Sequence, residues 1–260
     1  MPARLLHELR LALTALQFFT RVPVPAWVGW SPQQMHECVR YLPLVGVLVG
    51  GVAGAVHALA GCLWPNGVAV LLSMVATLLL TGAFHEDGLA DTCDGLGGGG
   101  TDRTKVLAIM QDSRVGTFGV VGLVAALGLK FQLLQAVPAG LFLAVSVGAH
   151  VSSRCSALWV MARLPYVRDD GPSKSRGLTE GQSALAWMAG LVWLVIPLCW
   201  LGQHGAAAVL ASAIVAQAAV WWLRRRLGGY VGDTLGATQQ CTELAFLLAC
   251  LAAIPVLSNA

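Results

Sequence analysis

The chain has 260 residues, of which 57% are hydrophobic and 11% charged, and its mean hydropathy is +0.71. A water-soluble domain carries about 25% charged residues to cover its surface, so most of this surface must face lipid. The high hydrophobicity excludes a disordered chain. The formal charge of +3, with its Lys and Arg in short flanking clusters, argues against nucleic acid as a partner. The seven cysteines show no CxxC spacing and read as small apolar residues, not as a disulfide or zinc framework. Glu8 and His7 lie between Arg4 and Arg10, and no A-x-A site follows a short apolar core, so no cleaved signal peptide is expected.

Leu5, Leu6, Leu9, Leu13 and Leu16 recur at helical spacing among Arg4, Glu8 and Arg10. This stretch, about 3–20, is expected to be an interfacial amphipathic helix that ends before Pro23 and Pro25. A bilayer core about 30 Å thick needs about 20 apolar residues per helix. Candidate spans run over 42–63, 67–83, 115–135, 139–161, 183–202, 205–223 and 241–257. Trp64-Pro65-Asn66-Gly67 makes a tight turn, and Gly202-Gln203-His204-Gly205 breaks a charge-free stretch too long for one span. The expected fold is therefore all-α: one integral-membrane domain over 1–260, a bundle of about seven spans preceded by the interfacial helix. Basic residues collect at Arg4/Arg10/Arg21/Arg40, Arg103/Lys105/Arg114, Arg163/Arg168/Lys174/Arg176 and Arg224–Arg226, all on one side of a seven-span arrangement. That side is expected to be cytoplasmic.

The chemistry is expected on that side. Phe84–Leu96 contains Asp87, Asp91 and Asp94, which on a helix fall within about 60° of arc. Carboxylates so close repel unless a cation lies between them, and hard oxygen ligands suit Mg²⁺ together with substrate phosphates. The loop over 84–114 is thus the expected metal-binding segment, with His85 and Glu86 beside it for substrate. Asp112, Ser113 and Arg114 stand at the mouth of the next span, where helix N–H groups and an arginine favour phosphate. A glycine-rich cytoplasmic loop at about 227–240 offers Asp233, Thr234 and Gln239, with Glu243 just inside the last span. Intramembrane ionisable residues are functional candidates: Arg154 is expected either to face the site or to snorkel, Lys130 to snorkel, and His57 and His150 to serve packing.

Gln17–Pro25, Phe84–Leu96, Asp112–Gly119 and Gly228–Gln240 together resemble the cobalamin synthase family, also called adenosylcobinamide-GDP ribazoletransferases, across nearly the whole chain. Glu86 adds a fourth carboxylate where the family usually has an apolar residue. The resemblance implies a Mg²⁺-dependent, multi-pass enzyme of the inner (cytoplasmic) membrane. Such an enzyme joins adenosylcobinamide-GDP to α-ribazole or α-ribazole 5′-phosphate and releases GMP. The partners implied are these substrates and the lipid bilayer. Self-association and docking of other cobalamin-pathway enzymes are compatible with it.

Phosphoryl transfer mainly needs positioning and charge neutralisation. Asp87, Asp91 and Asp94 are expected to hold Mg²⁺ on the diphosphate. Arg114, with Arg154, would neutralise the departing GMP phosphate, and Asp94 is preferred over Asp91 as proton acceptor. The rivals fit less well. A CDP-alcohol phosphotransferase wants an Ala-Arg pair after its first Asp-Gly, whereas Ala90-Asp91 follows Asp87-Gly88. A polyprenyl transferase wants a second acidic loop, and an ion-coupled transporter wants repeated halves.

Overall fold

The structure, a computed structural model, describes residues 3–167 and 184–253. Among these the chain is helical and has no strand, only an isolated bridge between Tyr166 and Tyr230. The helices are α1 (Ala3–Phe19), α2 (Pro32–Cys38), α3 (Leu42–Gly61), α4 (Asn66–Thr81), α5 (Phe84–Gly99) and α6 (Arg103–Met110). After them come α7 (Thr117–Ala136), α8 (Phe142–Arg163), α9 (Ala184–Leu191), α10 (Val195–Arg226) and α11 (Gly232–Ala253). The basic cluster at Arg168, Lys174 and Arg176 and the end of the last expected span lie outside the described residues.

α1 is amphipathic as its leucine spacing predicts. Leu11 and Ala15 are fully buried, while Leu5, Leu6 and Leu9 remain exposed. Polar contacts hold α1 on the next segment: Arg40 pairs with Glu8 at 2.7 Å, and the Tyr41 hydroxyl donates to the same carboxylate at 2.6 Å.

In lipid no hydrophobic force drives one helix onto another, so close backbone packing at small residues has to do it. α3 meets α8 in this way. Gly46, Gly50 and Gly54 repeat every fourth residue on one face, and the α8 backbone fills the space where their side chains would be. A Cβ on Gly50 would stand 2.5 Å from the Val147 Cα, and one on Gly46 would stand 2.6 Å from the His150 carbonyl oxygen.

Two breaks shape the rest. Between α4 and α5 the axis turns by 87°. Gly82 (φ 68°) and Ala83 (φ 56°) are both left-handed there, and both of their N–H groups donate to the Leu78 carbonyl. The Arg21 side chain lies where a Gly82 side chain would be, with Nε 2.6 Å from that position, so this corner takes only glycine. The second break is Gly202 (φ 54°, ψ −128°), inside α10. A Cβ on Gly205 would come within 2.1 Å of the Pro197 carbonyl oxygen. Eight residues of straight helix would put these about 12 Å apart, so the chain reverses at Gly202.

Among the described residues five helices are fit by length and composition to cross a membrane, or six with α4 and α5 taken as one bent span. The reversal at Gly202 divides the longest of them, residues 187–226, into two. These candidate spans, with the longest broken at Gly202, are compatible with the expected bundle of about seven. Their alternation brings Arg40, Arg114, Arg163 and Arg224–Arg226 to one end. At that end Arg163 stacks 4.1 Å over Trp159 and Arg225 4.2 Å over Trp221. Such amphipathic rings mark a membrane–water boundary.

The α3–α8 contact gives a clean test. Gly50→Ala should destabilise the bundle by about 1–3 kcal/mol through overpacking. Gly51→Ala, whose added methyl meets nothing within 4 Å, should leave the thermal midpoint in detergent unchanged or slightly raised.

Candidate active site

The acidic stretch expected as a loop is helical: it forms most of α5. Its glycines serve a crossing. Gly88 lies against the Asp233 backbone, where a Cβ would stand 2.8 Å from the carbonyl oxygen, and a Cβ on Gly236 would stand 3.0 Å from the His85 carbonyl oxygen. α5 and α11 therefore touch backbone to backbone. The stretch expected as the glycine-rich loop over 227–240 is also mostly helix, because α11 begins at Gly232.

This crossing gives α5 an inner and an outer face. Glu86 is buried inward and Asp87 is exposed outward, although they are neighbours in sequence. Asp91, one turn beyond Asp87, is half-buried on the outer side. Asp94 is buried, with both carboxylate oxygens accepting backbone N–H groups: Gly116 at 2.7 Å and Gly119 at 2.8 Å. Asp94 thus caps the N-terminus of α7 from outside, where a carboxylate also meets the positive end of the helix dipole. The expectation that Asp94 takes a proton and shares a metal with Asp87 and Asp91 meets this difference. Among the described residues no three His, Cys, Asp or Glu side chains are grouped to hold a metal. Mg²⁺ needs only one or two carboxylates beside water and phosphate oxygens. Asp87 and Asp91, one turn apart at the open edge of α5, suit that donor set.

Through Asp94 the segment that follows α6 is tied to α5. There the Asp112 carboxylate accepts from the Arg114 amide at 3.1 Å and from its guanidinium at 2.6 Å. The guanidinium lowers the Asp112 carboxyl to about 2, and the carboxylate in turn raises Arg114. A depressed carboxyl favours the paired form above its ordinary range and loses it as pH falls through about 2, so the pair stays intact across neutral pH. Arg114 keeps 86% of its side chain exposed, and Ser113 beside it is exposed too.

Other expected site residues lie deeper. Thr234 is buried and closes the first turn of α11: its hydroxyl accepts from the Val231 amide and donates to the Val231 carbonyl. That hydroxyl is committed to the backbone, while Asp233 is half-exposed beside it. His85, Glu86, Arg154, Gln239 and Glu243 converge inside the bundle, with Thr77, Thr81, Lys130, His150 and Gln240, around a void of about 10 Å³. That is room for roughly one water. Glu243 is the centre: Lys130 Nζ is 2.5 Å from one of its oxygens, and His150 Nδ1 is 3.3 Å from the other. Gln240 donates to one oxygen of Glu86 at 3.0 Å, and among the described residues the other oxygen of Glu86 and the Gln239 side-chain amide oxygen have no partner.

Arg154 is 2% exposed and donates to the His150 carbonyl at 3.0 Å. Its Nη1 is also 3.2 Å from His150 Nδ1, which cannot both accept from Arg154 and donate to Glu243. Arg154 already has the carbonyl, so placing the proton on Nδ1 and donating it to Glu243 leaves neither group orphaned.

Lys130 does not snorkel. It is 6% exposed and paired. Together with His150 and Gln240 it was missed as a member of the cluster, although a lone cation and a lone acid in separate spans were the available signal. His57 does serve packing, stacked 3.6 Å from Phe142 and bonded to Asn66.

Residues 11–251 match the family described as cobalamin-5-phosphate synthase. The chain is 49% identical to the adenosylcobinamide-GDP ribazoletransferase of Leptothrix cholodnii, over 97% of this chain and 98% of that one. It is 47% identical to that of Ralstonia pickettii, over 92% and 94%. With that of Vibrio cholerae it shares 42% identity over 97% of each chain. No solved structure matches it.

The buried pair predicts a coupled pattern. Lys130→Met alone leaves Glu243 charged without its cation and should cost about 3–5 kcal/mol. Lys130→Met with Glu243→Leu should be less destabilised than the sum of the single changes, as read by thermal unfolding in detergent.

Proposed function

The chain belongs to the cobalamin-5-phosphate synthase family, and on that footing we propose that it acts as its named relatives do, as an adenosylcobinamide-GDP ribazoletransferase. It joins adenosylcobinamide-GDP to α-ribazole or α-ribazole 5′-phosphate and releases GMP, the last assembly step of cobalamin. The observation that carries this is the match over residues 11–251, which takes in the outward face of α5 and the helix crossing that holds it.

The reaction exchanges a phosphoanhydride bond for a phosphoester bond. A ribazole hydroxyl oxygen bonds to the phosphorus on the cobinamide side, the bond from that phosphorus to the GMP oxygen breaks, and the hydroxyl proton leaves to water. Asp87 and Asp91 would hold Mg²⁺, which when bound offsets the charge of the diphosphate. Asp94 is a positioning residue: with both oxygens on α7 amides it fixes the Asp112–Arg114 segment beside α5. Arg114 moves from Asp112 to the phosphate of the departing GMP, since its planar fork matches two phosphate oxygens as it matches two carboxylate oxygens. Glu86 and Gln240 brace the inner side of α5, and Arg154, Gln239 and Glu243 belong to the bundle's charge network, without touching substrate. The basic end is cytoplasmic under the positive-inside rule, in the inner membrane, where nucleotide substrate is available.

GMP release by purified membranes, with and without Mg²⁺, tests the reading. Asp87→Asn and Asp91→Asn should each abolish release while insertion is kept, because neither change opens a cavity. Arg114→Lys should lower turnover on the order of a hundredfold. A loss below about threefold would make it a topology anchor, a role lysine fills equally well. Reporter fusions after Gly100 and Gly232 should report cytoplasm, and fusions after Asn66 and Gln203 the outside. A cytoplasmic report at Asn66 would put α5 on the wrong side.

A further inference from the structure

Away from the acidic helix, α8, α9 and α10 enclose a groove of about 230 Å³ lined by Cys155, Ser156, Trp159, Trp187, Ala213 and Gln217, among others. Its wall is mainly apolar, and Ala213 and Gln217 are exposed along it, so it opens toward lipid. Two arginines stand at its basic end. Arg163 follows Trp159 by one turn on the same face of α8 and stacks on that indole at 4.1 Å. Arg224 follows Gln217 by two turns on the same face of α10 and donates to the Arg163 carbonyl at 3.1 Å. The two walls are joined because the Trp159 indole N–H donates to the Gln217 amide oxygen at 3.0 Å. Both guanidiniums remain exposed, and neither has a carboxylate partner among the described residues.

We infer that this groove seats one anionic phospholipid, with an acyl chain between α8 and α10 and the phosphate on Arg163 and Arg224. The dimensions suit it. From Ser152 to Arg163 the helix rises about 16 Å, close to half of a hydrocarbon core about 30 Å thick. An apolar trough as deep as one leaflet, ending in two cations at the boundary, complements a molecule with an apolar tail and an anionic head. A free phosphate would satisfy the arginines but leave the trough empty. A zwitterionic lipid would fill the trough but offset its own phosphate. The seat lies on the face of α8 opposite Arg154, so it is separate from the buried charge cluster.

Native mass spectrometry of the purified full-length chain tests this, after equilibration with mixed micelles of phosphatidylglycerol and phosphatidylcholine. One phosphatidylglycerol should be retained in preference to phosphatidylcholine. Arg163→Gln and Arg224→Gln should each weaken that retention about fivefold. Ala213→Trp should fill the trough and abolish retention with both arginines in place. Should any variant fail to fold, the preference of the unaltered chain still decides. Equal retention of the two lipids by the unaltered chain, undiminished phosphatidylglycerol in the double arginine variant, or full retention in Ala213→Trp would each overturn the proposal.

Discussion

A carboxylate almost fully withdrawn from solvent in the middle of a membrane helix is tolerable only with its counter-charge in contact, and Glu243 sets that condition for the whole bundle. It is 1% exposed, and Lys130 of α7 and His150 of α8 meet it from two other helices. Desolvating two charges costs several kcal/mol per ion, so the pair gives little net stability. It enforces one arrangement instead: any shift of α7, α8 or α11 along its axis parts ions that have at most about one water's room beside them. The glycine face of α3 then needs only to fit a fixed α8 backbone.

The acidic helix inherits its placement from this core. Glu86 reaches Gln240 on α11, and Gly88 and Gly236 allow the two backbones to touch. The corner at Gly82 and Ala83 then turns α5 across the end of the bundle, so that Asp87 and Asp91 lie outward. Asp94 carries the same registration on to α7. The proposed chemistry would thus sit on a helix held along three sides, as a rigid scaffold for phosphoryl transfer requires.

Much of the fold was legible in the sequence because spans are written in hydropathy. The expected 42–63 became Leu42–Gly61, and the glycine at 202 reverses the chain where the charge-free stretch had to break. α5 was harder to read. Gly88, Gly95 and the run from Gly97 to Gly99 look like a flexible link, since glycine is a poor helix former. Their reason is tertiary: α11 at Gly88, Met110 at Gly95, Phe118 at Gly97, Ile109 at Gly98 and Val106 at Gly99 occupy the space where side chains would be. Of the site, the outward pair Asp87 and Asp91 follows from helical spacing alone. The fate of Asp94 does not, because its partners, Gly116 and Gly119, lie beyond α6. Lys130 shows the same limit. Its position near a span end suggested snorkelling, and only the packing of α7 on α11 brings it to Glu243.

Because α5 is read on every side, its length is more constrained than its composition. Inward Glu86, outward Asp87 and the tether at Asp94 occupy little more than two turns of helix. Adding or removing one residue between them would swing everything downstream by about 100°. The tether would lose its amides, or the outward carboxylates would turn toward lipid or core. Natural variation along this segment should therefore accumulate as substitutions at constant spacing, with insertions and deletions displaced to the turns at either end.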